Sequence, residues 1–297
     1  VPTGIILLDK PQGLSSNGAL QKVRKAFRAK SAGHVGTLDP MATGMLPLCL
    51  DEATKVIAEI ESGAKAYEFT IQLGLRTDTG DAEGQVVEQL DIPSIDADWI
   101  ERVLAGFRGV SQQVPPMYSA LKRDGKPLYE LARQGVEVER SARPIEVRRL
   151  DLLGQRADAL DLVCECGKGT YIRVLGEDIA RALRTCGHLT RLRRTWAEPF
   201  RNFPMHTLEQ VIDAAHAEGA DILQKPDIAL QRLSRAELDA ATVVQLRHGK
   251  VVNSGQATLE AGERVRLYGP DREFLGLAEV LPGGRLQPRR LLLPDAR

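Results

Sequence analysis

The sequence predicts an α+β protein with a mixed or antiparallel sheet, followed by a smaller β-rich unit. Three observations lead there. Strand-like and helix-like stretches are interspersed without the regular spacing of βαβ units. Beyond Arg247-His248-Gly249-Lys250 the texture changes to short β-like runs separated by glycines. The length, 297 residues of which 43% are hydrophobic, suits one large domain with a small appendage. Aromatic residues make up only 4%, so aliphatic side chains must supply most of the core.

In chain order, the apolar run Gly4 to Leu8 reads as a buried strand ending at Asp9-Lys10-Pro11. Ser16 to Arg28 reads as a helix, with Leu20, Val23 and Phe27 on one face and basic residues on the other. Ala66 to Leu73 alternates as a half-buried strand, with Tyr67, Phe69, Ile71 and Leu73 on one side. Asp96 to Gly106 has helical character. Residues 115–143 form a polar, basic stretch with a short helix from Leu128 to Gln134. Ile145 to Leu153 and Ala159 to Cys166 make a hairpin around Gly154 to Asp158. Gly167-Lys168-Gly169 turns into a helix whose apolar stripe is Ile172, Leu175, Ile179 and Leu183. Thr190 to Trp196 alternates, read with its arginines outward, and Thr207 with Gln210 makes a capping box for a further helix. In the tail, Val251-Val252, Arg264 to Tyr268 and Phe274 to Val280 read as short strands. The expected division is a first domain at 1–245 and a second unit at 246–297.

Lysine plus arginine balance aspartate plus glutamate at 40 each, and this zero net charge argues mildly against a nucleic-acid binder. The distribution argues the other way. Lys22, Arg24, Lys25, Arg28 and Lys30 follow one another without an acid, and arginines dominate from Lys168 to Arg201. Phosphate binding needs a local basic surface, not a basic protein. The four cysteines (Cys49, Cys164, Cys166, Cys186) lack a disulfide-framework spacing, and the five histidines form no metal pattern. Reduced thiols, a cytoplasmic location and no structural metal are therefore expected. No stretch is long enough to span a membrane, and the start lacks the regions of a signal peptide. The first residue is Val1, not an initiator Met, which leaves room for a trimmed basic leader.

The segment Gly33-His34-Val35-Gly36-Thr37-Leu38-Asp39-Pro40-Met41-Ala42-Thr43-Gly44 concentrates three glycines, a proline, a histidine and one carboxylate in twelve residues. Glycine and proline together specify a shaped loop. An aspartate held rigidly in such a loop is a candidate nucleophile or general base, although Asp-Pro is also a common turn starter. With Met45-Leu46-Pro47-Leu48 and Asp9-Lys10-Pro11-Gln12-Gly13-Leu14-Ser15-Ser16, this segment resembles the bacterial tRNA pseudouridine-55 synthases, the TruB family. The resemblance continues, in the family's order, through Lys65-Ala66-Tyr67-Glu68, Arg76-Thr77-Asp78-Thr79-Gly80-Asp81, Pro115-Pro116-Met117-Tyr118-Ser119-Ala120-Leu121-Lys122 and Gly169-Thr170-Tyr171-Ile172-Arg173. It covers most of the first two hundred residues.

The resemblance implies the pseudouridine synthase fold, a bent, mainly antiparallel sheet with the cleft across its middle, and a PUA-like C-terminal unit. It implies isomerisation of uridine 55 in the T-stem-loop of tRNA, without cofactor, guide RNA or obligate protein partner, by a monomer. Asp39 matches the family's catalytic aspartate, Arg173 its partner and Lys10 a supporting residue. Tyr67 matches the residue that stacks on the flipped uracil, with Leu192 and Tyr171 completing the pocket. His34 matches the wedge that fills the vacated space in the RNA stack. Lys122, Arg123 and Lys126 fall in an RNA-binding insertion.

Without the resemblance, each residue has a plainer reading. Arg173 stands four residues before Glu177, the spacing of a helix-surface ion pair. Tyr67 and Leu192 read as core, Lys10 as a solvated turn residue and His34 as a polar loop residue. Two other functions remain open: an RNA-binding folding helper, and an aspartate-nucleophile hydrolase using Asp78, Asp81 or Glu83 as second carboxylate.

Overall fold

β1 (Gly4–Lys10) is an aliphatic run with both faces buried, which suits an inner strand. The chain is seen in a computed structural model that describes residues 3–119, 121–123, 125–217, 221–253 and 259–292. Ala120 of the quoted motif and parts of the expected C-terminal unit (254–258 and 293–297) lie outside the described residues.

α1 (Ser16–Ala26) follows, capped by Ser15, whose side chain accepts the Gly18 N–H. Then come β2 (Ala32–His34), β3 (Thr43–Leu50) and β4 (Lys65–Leu73). α2 (Ala97–Phe107) is capped by Asp96 and leads to β5 (Gly109–Gln113). The stretch expected as an insertion holds a two-stranded hairpin, Lys122–Arg123 with Lys126–Pro127, and α3 (Leu128–Arg133). β6 (Arg143–Gln155) and β7 (Ala159–Cys166) form the expected hairpin. α4 (Ile172–Ala182) buries its predicted apolar stripe, and β8 (Gly187–Ala197), β9 (His206–Thr207) and α5 (Leu208–His216) complete this part. The Thr207–Gln210 capping box is present.

These strands make one nine-stranded sheet in the order β9-β1-β3-β8-β4-β7-β6-β5, with β2 paired to β3. Only β1 with β9 and β3 with β8 run parallel, so the sheet is mixed and mainly antiparallel, as the sequence predicted. β4 is more buried than its alternation suggested. Lys65 is buried along with the apolar set, and on the opposite face Ala66 and Thr70 are buried while Glu68 and Gln72 are half-buried, in a strand paired on both edges by β8 and β7.

The C-terminal sheet has five strands: β10 (Ser234–Glu237), β11 (Val252–Asn253), β12 (Arg264–Tyr268), β13 (Phe274–Leu281) and β14 (Arg285–Leu291), in the order β10-β12-β13-β14-β11. It includes β10, which precedes the change of texture near residue 246, together with α6 (Ala240–Arg247) between β10 and β11. Among the described residues, no helix is long and apolar enough to cross a membrane.

Candidate active site

Asp39 stands between β2 and β3, in a loop fixed from three directions. From α1, Ser16 Oγ accepts the Leu38 N–H at 2.8 Å and donates to the Leu38 carbonyl at 2.9 Å. From the end of β1, Lys10 Nζ donates to the carbonyls of Leu14 (2.7 Å), Pro11 (2.9 Å) and Pro40 (3.3 Å). From β8, Arg194 donates to the carbonyls of Met45 (2.6 Å), Gly36 (3.0 Å) and Val35 (3.3 Å). Gly44 explains one glycine of the motif. Its φ is +98°, and a Cβ there would lie 2.1 Å from the Arg194 carbonyl oxygen, where β3 meets β8.

Arg173, in the first turn of α4, reaches the aspartate. Its Nε lies 2.9 Å from Asp39 Oδ2, and its Nη2 donates to Asp39 Oδ1 at 3.3 Å. Backbone carbonyls of Thr79 (2.7 Å) and Tyr118 (2.6 Å) hold the same guanidinium. The arginine is 4% exposed and pairs with Asp39 instead of Glu177, so the plain surface-pair reading does not describe it. Asp81 adds a second carboxylate 3.7 Å from Arg173 Nε, itself anchored by the Thr79 hydroxyl at 2.6 Å and the Glu83 N–H at 3.1 Å.

The Asp39 side chain retains 35% of its surface through the cleft mouth, although protein atoms surround it on the other sides. That enclosure raises its carboxyl above the ordinary value; Arg173 opposes this, Asp81 adds to it, and Lys10 also opposes it. Lys10 is fully buried, contrary to the solvated-turn reading, and burial pushes its ammonium down to about 8 against the pull of Asp39 and Glu83.

A cleft of about 740 Å³ opens above the pair. Its lining includes Asp39, Tyr67, Tyr171, Arg173, Leu192 and Arg194, so the expected carboxylate, arginine and base-pocket residues meet in one place. Tyr67 and Leu192 project from adjacent strands: Tyr67 is opposite Arg194 in the β4–β8 register, and Leu192 is opposite Phe69. Burial pushes the Tyr67 phenol up to about 12, against the favourable charge of Arg194 beside it. Tyr171 is set by Gln113, which exchanges hydrogen bonds with its backbone N–H (2.8 Å) and carbonyl (3.1 Å). Lys65, Arg143 and Lys168 add positive charge to the cleft wall.

His34 ends β2 opposite Leu48, outside the set of residues lining the cleft. Burial, then Arg194, depresses its imidazole, and its Nδ1 is buried without a hydrogen-bond partner. Lys122, Arg123 and Lys126 are exposed on their hairpin and do not line the cleft. Three residues escaped the sequence reading: Ser16 as the clasp on Leu38, Asp81 as the second neighbour of Arg173, and Arg194. All arginines of Thr190 to Trp196 were expected outward, yet Arg194 is 0% exposed. Period two from Leu192 places Arg194 on the inner face, and its charge masked that signal.

Residues 24–172 match the TruB family pseudouridylate synthase (N terminal domain), 173–235 match the tRNA pseudouridylate synthase B C-terminal domain, and 234–292 match Pseudouridine synthase II TruB, C-terminal. The chain belongs to the TruB family of pseudouridylate synthases. It is 48% identical to the tRNA pseudouridine synthase B of Chromohalobacter salexigens, over 97% of this chain and 94% of the relative. It is 49% identical to the protein of the same name from Aromatoleum aromaticum, over 97% and 92%. In structure it resembles a chain of a Cbf5-Nop10-Gar1 complex with a TM-score of 0.75 at 24% identity, covering 98% of this chain and 85% of that one.

Proposed function

We propose that this chain converts uridine 55 in the T-loop of tRNA to pseudouridine, acting alone and without cofactor or guide RNA. One observation carries the reading: the Asp39 carboxylate, clasped by buried Arg173, shares one cleft with Tyr67 and Leu192. Isomerisation breaks the bond from the ribose to uracil N1 and makes one to C5. It needs neither redox change nor group donor. One carboxylate at the sugar is required, and Asp39 fills that role, either by attack at C1′ or by removing a ribose proton on a glycal route. Arg173 keeps the carboxylate oriented and favours its charged form. Tyr67 stacks on the uracil, and its hydroxyl helps to take the C5 proton after the base has rejoined. Leu192 and Tyr171 close the pocket, and Lys10 steadies the loop through Pro40.

The uridine must first leave the RNA stack, at a cost of about a few kcal/mol that pocket contacts offset. In this reading His34 fills the vacated space. Lys122, Arg123 and Lys126 hold phosphates, and the C-terminal sheet meets the acceptor-stem end. The relatives' shared name, tRNA pseudouridine synthase B, supports tRNA as the substrate. An RNA-folding role would use the same surface and would survive loss of the carboxylate.

The test is conversion of unmodified tRNA, with pseudouridine mapped by chemical probing. The wild-type protein is expected to modify position 55, while Asp39→Asn binds the RNA and leaves it unmodified. Full activity of Asp39→Asn would remove Asp39 from its role, and wild-type binding without product would overturn the enzyme reading.

A further inference from the structure

Arg194 leads the fully buried side chains in size. Its Nε and Nη2 donate to three backbone carbonyls, and none of the ion pairs among the described residues includes it. A guanidinium stays charged, and burying a charge without a counter-ion is costly. If Arg194 only filled space, an apolar side chain would do so at lower cost. Its charge is felt across the site: it helps to depress Lys10, His34 and Lys65, and it opposes burial at Tyr67. The register explains the reach. Arg194 faces Tyr67 across the β4–β8 ladder and Gly44 across the β3–β8 ladder, with irregularities on both sides of Arg191–Arg194. β-Bulges of this kind re-aim side chains beside active sites.

We propose that Arg194 is a positioning residue for both halves of the reaction: it ties the loop of Asp39 to the strand of Tyr67 and keeps a positive charge against the Tyr67 hydroxyl. This rests on the isomerase reading above. In that reaction the hydroxyl gives its proton to the uracil nitrogen freed from the sugar. The resulting phenolate takes the proton from C5 once the new carbon–carbon bond has formed, so the tyrosine ends as it began. Arg194 stabilises the phenolate between these two transfers.

The experiment compares single-turnover conversion of an unmodified tRNA transcript by wild type, Arg194→Met and Arg194→Lys. Each is prepared with ordinary tyrosine and with 3-fluorotyrosine, whose phenol is more acidic, and each is checked for folding by thermal melting. Arg194→Met is expected to lose about 100-fold in rate, the scale for removing a preorganised charge, with tRNA affinity held within about threefold. Fluorotyrosine is expected to return about tenfold of that loss, with no gain in wild type, Asp39→Asn or Tyr67→Phe. Arg194→Lys, which keeps the charge, is expected to lie between. A wild-type rate in Arg194→Met, or a loss that fluorotyrosine leaves untouched, would overturn the proposal. If Arg194→Met does not fold, Arg194→Gln, which removes the charge but can still donate to a carbonyl, decides by the same criterion. Absence of conversion by wild-type protein would instead refute the isomerase reading.

Discussion

In the proposed reaction Asp39 acts at the sugar as the ionised carboxylate, and its surroundings pull its proton affinity in opposite directions. Burial raises the carboxyl above the ordinary aspartate value, while Arg173 and then Lys10 lower it. The single-turnover rate is therefore expected to be complete well above that raised value and to fall as pH drops through it. Arg173→Met or Lys10→Met removes a lowering influence, so the acid limb must move to higher pH, further for Arg173 because its influence is the larger. A pH–rate profile on unmodified tRNA checks this; a limb that stays put or moves down would contradict it. At this scale Asp39, Tyr67 and Arg173 could be picked out because each sits in a quoted motif, and Leu192 only through the resemblance. The contacts made by Ser16, although it ends a quoted motif, and by Arg194 could not. Their work is done on main-chain carbonyls and amides from distant elements, and a sequence does not show which backbone a side chain will reach.

At the scale of elements, strands and helices came through where period and caps agreed. α4 has its stripe, α5 its capping box, and β6–β7 their hairpin. The order of strands did not come through, because β8 enters between β3 and β4, which lie far upstream in the chain. The hairpin Lys122–Arg123 with Lys126–Pro127 is the clearest case of an element standing apart from the core. Its cations are exposed, and main-chain bonds from Leu128 N to Leu121 O and from Tyr129 N to Ser119 O tie it down. Replacing Lys122, Arg123 and Lys126 together by alanine is expected to weaken tRNA binding without changing the conversion rate of bound RNA. The slope of log K against log salt should fall by about 2, near the value for three phosphate contacts. Binding isotherms at several salt concentrations measure it; an unchanged slope would place these cations away from the RNA.

Across the whole molecule, the C-terminal sheet shares an apolar cluster with residues that flank the Asp39 loop. Leu277 of β13 is 2% exposed and belongs to the apolar cluster of Ile5, Leu7, Val35, Met45, Val56 and Phe200. Val35 and Met45 flank the Asp39 loop and offer the carbonyls that Arg194 holds. Around this contact, Lys55 donates to the Leu291 carbonyl at 2.8 Å, and Glu59 pairs with both Arg232 and Arg264. Composition alone marked a change of texture near residue 246, but it carried no sign that Leu277 would join an apolar cluster with residues of the first strand. Leu277→Ala leaves a cavity in that shared cluster and is expected to cost about 3 kcal/mol. Because the cluster spans both sheets, unfolding in denaturant should remain one transition at a lower midpoint. The conversion rate should fall as well, since the loop carrying Asp39 loses the packing beneath Val35 and Met45, although Leu277 is not among the residues lining the cleft. Two transitions, with the catalytic sheet melting at its wild-type midpoint and the rate unchanged, would show that the C-terminal sheet is instead an independent appendage.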